Sequence, residues 1–170
     1  DETDKAIEYY LKALEVDHEH VEAGGRVSAL LWRANRHAEL VPILEMLTRK
    51  EADKATQKAR LVRLGKAARA VGLNDKAAKA WSRLAELDPT DLEAQQERGH
   101  LLFADGKWEE AREAFHAVLA HHRESLTDPQ LVEIFFHLGE CDRRLGDLPK
   151  AKNFYAKALE IDPTHRPTIL

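Results

Sequence analysis

One stretch near the C-terminal end of the chain decides the fold: residues 135–163 read FFHLGECDRRLGDLPKAKNFYAKALEIDP. Within it Ala151 and Tyr155 stand four residues apart, which places a small and an aromatic side chain on one helical face. The same couplet occurs elsewhere at Ala6–Tyr10, Ala77–Trp81 and Ala111–Phe115. The last two couplets begin 34 residues apart, a period typical of repeats that cannot bury their apolar faces alone. The sequence therefore predicts stacked repeats that share one continuous core.

The composition is typical of a globular, all-α protein. The 170 residues are 44% hydrophobic and 33% charged, enough for a core beneath a solvated surface. Ala, Leu, Glu, Lys and Arg dominate, and only eight glycines and six prolines occur. A net charge of −4 gives no support to nucleic-acid binding, which needs a basic surface. No apolar run approaches the roughly 20 residues that cross a bilayer, so we expect no membrane insertion.

Cysteine usage and the chain start bear on the compartment and the parent protein. The single cysteine, Cys141, excludes an intramolecular disulfide framework and a Cys-rich metal site. We interpret it as a small packed residue and expect a reducing, cytoplasmic location. The chain has no initiator Met and opens directly in a helical pattern, so we expect a fragment of a longer protein.

Local charge differs between neighbouring repeats. Residues 50–83 carry ten Lys or Arg against three Asp or Glu, a net of +7. Residues 85–113 carry three basic and nine acidic residues, a net of −6. Such blocks are usual on solvated faces, and they also steer acidic or dipolar partners. Both interpretations stay open from the sequence.

Apolar periodicity and turn residues divide the chain into helix pairs. Gly72 suits the left-handed position that ends a helix. Pro42 lies inside a predicted helix, which we expect to start late or to kink there. Residues 120–129 are predicted to form a longer helix end and a loop. The predicted helices span residues 1–16, 21–34, 37–48, 54–70, 75–86, 91–104, 108–121, 129–145 and 148–160.

These motifs resemble the tetratricopeptide repeat, whose signature is a large residue, then Leu-Gly, then Ala-x3-aromatic, then Pro. Two units carry it fully: Phe135-x2-Leu138-Gly139, Gly146, Ala151-x3-Tyr155 and Asp162-Pro163; and Leu61-x2-Leu64-Gly65, Gly72, Ala77-x3-Trp81 and Asp88-Pro89. The resemblance covers essentially the whole chain. It implies one domain over 1–170, a right-handed α-solenoid of stacked antiparallel helix pairs. Its parts are a half repeat at 1–18, repeats at 21–50, 54–89, 91–122 and 129–163, and a stub at 164–170.

Four residues, in two repeats, depart from the family pattern. In the repeat from Val21, Gly24 stands where a large residue is usual and Leu40 where a small one is, and in the repeat from Leu92, Gln95 and Arg98 replace apolar residues. We expect less regular packing in those two repeats. The four couplet aromatics are assigned to the core: Tyr10, Trp81, Phe115 and Tyr155.

The resemblance also implies a binding site in the concave groove, lined mainly by the first helix of each pair. Arg63, Lys66 and Arg69 lie near one helical face and suit the carboxylates of an acidic partner, with an ordinary solvated basic face as the alternative. Trp32 is either an exposed anchor or packed against the helix that contains Pro42. The groove positions carry no Asn, so the chaperone-carboxylate clamp of some family members is not carried over. The candidate groove residues are Arg26, Trp32, Arg33, Arg63, Lys66, Arg69, His100, Phe103, His137 and Arg143.

The sequence offers little for catalysis or metal binding. The nine histidines include no HExxH or similar spacing. His100 and His137 are placed to face each other across the groove, and three more lie near one helix end: His116, His121 and His122. We nevertheless expect no metal site. No phosphate-binding glycine loop is present, and nothing is placed to activate Cys141, so we expect no cofactor and no catalytic residue.

The function predicted from the sequence is a non-catalytic scaffold that binds a protein partner, as a peptide or a helix, in its groove. An acidic partner fits the basic repeat. One alternative is a structural arm that forms homo-oligomers through exposed repeat ends. Another is the regulatory or substrate-recruiting segment of a larger enzyme.

Overall fold

The computed structural model describes residues 2–169, apart from the side chain of residue 169, and is all-α as predicted. Within those residues it contains ten α-helices, one short 3-10 turn at Arg123–Ser125, and no strand. None of these helices has the length and apolar character that a bilayer span requires. The helices are α1 (Glu2–Val16), α2 (Val21–Arg33), α3 (His37–Lys50), α4 (Lys54–Ala70), α5 (Asn74–Leu87), α6 (Leu92–Ala104), α7 (Trp108–His122), α8 (Asp128–Arg144), α9 (Leu148–Ile161) and α10 (Arg166–Ile169).

The helix starts follow from local hydrogen bonding. The Asp53 carboxylate accepts a hydrogen bond from the backbone N–H of Thr56 at 2.8 Å, and Asp91 does the same for Ala94 at 2.8 Å. Such side chains satisfy backbone donors that have no partner within the helix. Asp91 therefore precedes α6 as its cap, whereas the sequence pattern placed it inside the helix. The other predicted helix ends lie within two residues of the observed ones.

The late start expected at Pro42 is wrong, and the alternative expectation, a kink there, remains a prediction. Helix α3 begins at His37 and continues through Pro42 to Lys50. Proline removes the hydrogen bond to the carbonyl of Ala38, four residues earlier. Ala38 and Pro42 are both exposed, so water can satisfy that carbonyl and the helix need not begin after the proline.

Consecutive helices pack against each other within two compact units. The first unit is Asp1–Leu87 and the second is Asp88–Leu170. In the first unit the pairs α2/α3 and α4/α5 pack closely, and α1 and α4 extend the stack by packing on α2 and α3. In the second unit the pairs are α6/α7 and α8/α9, with α7 packed on α8. The prediction of one repeat domain over 1–170 remains a prediction.

In three helix pairs, an aromatic ring of the second helix packs directly on a glycine of the first helix. A Cβ atom added to Gly65 would stand 2.7 Å from two atoms of the Trp81 indole, so only glycine allows this approach. Gly99 meets Phe115, and Gly139 meets Tyr155, in the same way. The core assignment is confirmed for Trp81 and Phe115, which are 1% and 0% exposed.

The other two aromatics of the couplets, Tyr10 and Tyr155, are only half-buried. Tyr155 stays near the surface because its hydroxyl donates a hydrogen bond to the Glu140 carboxylate. Its ring nevertheless covers Gly139.

Two of the departures from the family pattern are accommodated locally, and less regular packing in those repeats remains a prediction. The side chain of Met46 occupies the space beside Gly24, where a large residue is usual. Gln95 is buried, and its amide nitrogen donates to the Pro89 carbonyl at 3.1 Å, but its side-chain oxygen has no hydrogen-bond partner.

The predicted left-handed glycine is confirmed: Gly72 has φ +74° in the turn after α4.

Candidate peptide-binding surfaces

One face of α4 in the first unit is strongly basic. The helix contains six Lys or Arg and no Asp or Glu. Arg63, Lys66 and Arg69 are exposed and lie within one sector of the helix. Arg60 is committed elsewhere, with its guanidinium 2.6 Å from the Glu51 carboxylate and donating to the Leu47 carbonyl. The exposed sector therefore carries three cations, and α4 itself contains no acidic residue.

Trp32 of α2 adjoins this basic face. Its indole is half-buried, and the guanidinium of Arg63 lies 5.9 Å from the ring centre. The same indole packs edge to face on His37, at 5.4 Å between ring centres. His37 begins the helix that contains Pro42, so Trp32 contacts that helix while part of its ring stays accessible. Arg33 is exposed on α2, and its Nε donates to the Ala29 carbonyl at 3.4 Å.

A second basic surface lies on the other side of α4. Leu61 and Leu64 point about 140° and about 160° away from the centre of the cationic sector, at 100° per residue. They line an open pocket of about 500 Å³ whose walls include several cations from α3 and α5. One of these is already paired, because Lys76 Nζ is 2.7 Å from the Glu45 carboxylate. The others are Arg49, Lys79 and Arg83.

In the second unit three of the predicted groove residues come together. His137 of α8 lies 5.0 Å from His100 and 4.8 Å from Phe103 of α6, measured between ring centres. Phe115 and Phe136 pack on the same imidazole at 5.1 and 5.5 Å. His100 and His137, which were expected to face each other across the groove, are in direct ring contact. We call these five residues the histidine–aromatic cluster.

Sequence reasoning missed Glu133, which completes this surface. Its carboxylate lies 3.8 Å from His100 Nε2, and its backbone carbonyl accepts a hydrogen bond from His137 Nδ1 at 2.8 Å. Glu133 stands one helical turn before His137, on the same face of α8. That spacing was the signal that could have found it.

Arg143 lies apart from the cluster, and its charge is already engaged. Its guanidinium donates two hydrogen bonds to the Glu140 carboxylate, at 2.7 and 3.0 Å. This contact, with the Tyr155 hydroxyl as a second donor, lowers the pKa of Glu140. Arg143 is therefore less suited than Arg63 to hold a partner carboxylate.

An apolar pocket of about 580 Å³ opens beside His137, between α8, α9 and α10. Phe136 forms part of its wall, and His165 packs on Phe136 at 5.5 Å between ring centres. Its other apolar lining residues are Pro129, Val132, Ile161 and Pro167, and its acidic ones are Asp128, Glu133 and Asp162.

Buried ionisable groups occur away from these surfaces. The carboxylate of Asp142 is fully buried, and one oxygen is held by Arg112 at 3.0 Å while the other has no partner. Cys141 is buried as predicted, and burial followed by the Asp142 charge raises the pKa of its thiol to about 12. His116 is exposed, but partial desolvation of its imidazole lowers its pKa.

Comparisons with known proteins agree with this architecture. Three sequence models of the tetratricopeptide repeat match residues 90–164, 62–115 and 1–20. No curated protein sequence matches significantly.

Solved structures give three informative matches, all below 25% identity. The first is YrrB, described as a TPR protein with an unusual peptide-binding site, at 23% identity and TM-score 0.67, over 99% of this chain and 82% of that one. The second is MamA, at 20% and 0.62, over 96% and 91%. The third is the first TPR of Spaghetti bound to the HSP90 peptide SRMEEVD, at 19% and 0.55, over 67% and 86%.

Proposed function

The chain belongs to the tetratricopeptide repeat family, and from that premise we propose that it is a non-catalytic scaffold that holds an acidic peptide or helix on the basic face of α4. The observation that carries this proposal is the cationic sector of Arg63, Lys66 and Arg69 beside the half-exposed Trp32. The cationic sector supplies positive charge for the carboxylates of the partner, and the Trp32 indole supplies an apolar contact surface.

The chemistry of these side chains favours carboxylates. Arg donates paired hydrogen bonds to a carboxylate in a fixed planar geometry, whereas Lys acts as a mobile point charge. The Arg63 guanidinium, already placed over the Trp32 ring, loses less freedom on binding than a fully mobile side chain. An acidic side chain is thus expected at Arg63, with an apolar neighbour on Trp32.

Peptide capture by relatives supports the class of partner. YrrB is described as having a peptide-binding site, and the Spaghetti repeat was solved with a peptide that contains Glu-Glu and Asp. The predicted groove carries no Asn, so we do not propose the chaperone tail itself as the ligand. We propose an internal acidic segment of a protein partner.

Fluorescence anisotropy with a labelled peptide tests this proposal. The probe is a short peptide that alternates Glu with Leu, and the reference peptide carries Gln in place of each Glu. We expect the native chain to bind the Glu peptide and not the Gln peptide, with affinity that falls as salt rises.

The decisive variant is Arg63→Glu with Arg69→Glu. A charge-assisted hydrogen bond contributes about 1.5–3 kcal/mol, and about 1.4 kcal/mol equals tenfold in affinity. We therefore expect the Kd to rise at least about tenfold. Arg49→Glu with Arg83→Glu makes the same change in net charge on the other side of α4 and should alter the Kd little. Equal weakening by both pairs, or by neither, would rule out the α4 face as the site.

A further inference from the structure

Two imidazoles and a carboxylate converge on the surface of the second unit. His100 comes from α6, and Glu133 and His137 come from α8. One potential ligand atom from each lies within 4.8 Å of the others. Among the residues that the structure describes, this is the only group of three or more His, Cys, Asp or Glu that meets in this way.

The hydrogen bond of His137 prepares its other nitrogen for a metal. The Glu133 carbonyl only accepts, so Nδ1 must donate at 2.8 Å and neutral His137 keeps its lone pair on Nε2. Metal-binding histidines nearly always donate their second N–H to a carbonyl or carboxylate in this way, which fixes the tautomer and the ring orientation. Ring packing by Phe103, Phe115 and Phe136 holds the same imidazole.

We propose that His100, Glu133 and His137 form a Zn²⁺ site. Two histidines and one glutamate are a known zinc ligand set, with a fourth position left to water or another ligand. The proposal does not depend on the peptide site, which lies in the first unit.

Zinc binding requires only a small movement of the ligand side chains, and an exposed side chain can supply it. Zinc bonds of about 2.0–2.2 Å at tetrahedral angles put ligand atoms about 3.3–3.6 Å apart. The ligand atoms, now within 4.8 Å of one another, must therefore close by up to about 1.5 Å. The Glu133 side chain is 57% exposed, so it can swing inward without disturbing the core.

The placement of the ligands gives the ion a structural effect. They join α6 to α8, the first helices of two successive pairs in the second unit. An ion that binds only the folded arrangement stabilises it by mass action. Zinc should therefore raise the thermal midpoint of the native chain.

Calorimetric titration of the untagged chain with zinc chloride tests the site. We expect one equivalent to bind at micromolar concentration or below. The variants His100→Gln, Glu133→Gln and His137→Gln should each weaken zinc binding at least tenfold. Loss of a hydrogen bond that merely supports a ligand already lowers metal affinity about tenfold to hundredfold. His18→Gln, at an exposed histidine of the first unit, should bind as the native chain does.

Two further readouts separate metal binding from folding. Circular dichroism should show the same helix content in Glu133→Gln, whose side chain is largely exposed. Co²⁺ should give a tetrahedral visible spectrum with the native chain and lose it with Glu133→Gln. Millimolar zinc affinity in the native chain, or unchanged affinity in the three ligand variants, would overturn the proposal.

Discussion

Replacement of Gly65 by alanine should isolate the energetic value of the close contact between α4 and α5. The added Cβ would stand 2.7 Å from Cζ2 and Nε1 of Trp81, and closer still to Cε2. Ordinary contacts are 3.4–4 Å, so the ring or the helix must retreat by about 1 Å. The indole is 1% exposed and rigid, which leaves it little room to yield.

Two opposing effects set the size of the change. Overpacking a closed core costs about 1–3 kcal/mol. Alanine in place of glycine inside a helix returns about 1 kcal/mol. The net result for Gly65→Ala should be a loss of about 0–2 kcal/mol in the free energy of unfolding.

Gly25→Ala supplies the matched control in the same unit. A Cβ at Gly25, inside α2, would have no atom within 4 Å, so this variant should show only the gain in helix propensity. The difference between the two variants in urea unfolding then equals the cost of overpacking, about 1–3 kcal/mol. Equal stability of Gly65→Ala and Gly25→Ala would refute the close-contact argument.

Three further predictions concern the second unit. Cys141, whose thiol pKa is raised to about 12 by burial, should resist iodoacetamide at pH 8 until the chain is denatured, and rapid native labelling would contradict this. Arg112→Ala should cost about 3–5 kcal/mol in urea unfolding because it strands the buried Asp142 carboxylate, and Arg112→Met with Asp142→Leu should recover most of that loss. Glu140 has its pKa lowered by Arg143, so its stabilising effect is present above the ordinary pKa of 4.5 and is lost as pH falls through the lower folded value. Thermal unfolding should therefore show Glu140→Gln less stable than the native chain at pH 7 and equal to it in strong acid.

The helices were predictable because their signals are local. The apolar periodicity and the caps operate within one or two turns, and the structure places every predicted helix within two residues of its expected ends. Pro42 shows the limit of such rules. Its effect on α3 depends on whether water reaches the carbonyl of Ala38, which is a property of the folded surface.

The candidate sites were less predictable because they depend on contacts between repeats. The position of Arg63 over Trp32 joins residues 31 apart in sequence. The meeting of His100 with Glu133 joins residues 33 apart, and a search for ligand spacing along one segment does not detect it. Only the packing of α6 beside its neighbours brings that carboxylate and imidazole together.

The division of α4 into two sectors has a consequence for how such a surface can change. Gly65, Leu61 and Leu64 face the interior or the other side of the helix, while Arg63 and Lys66 project into solvent. Residues that build the scaffold and residues of the proposed binding surface thus occupy separate stripes of one helix. Substitution of the exposed residues alone can therefore change the specificity of the proposed surface, because the residues that stabilise the fold stay the same.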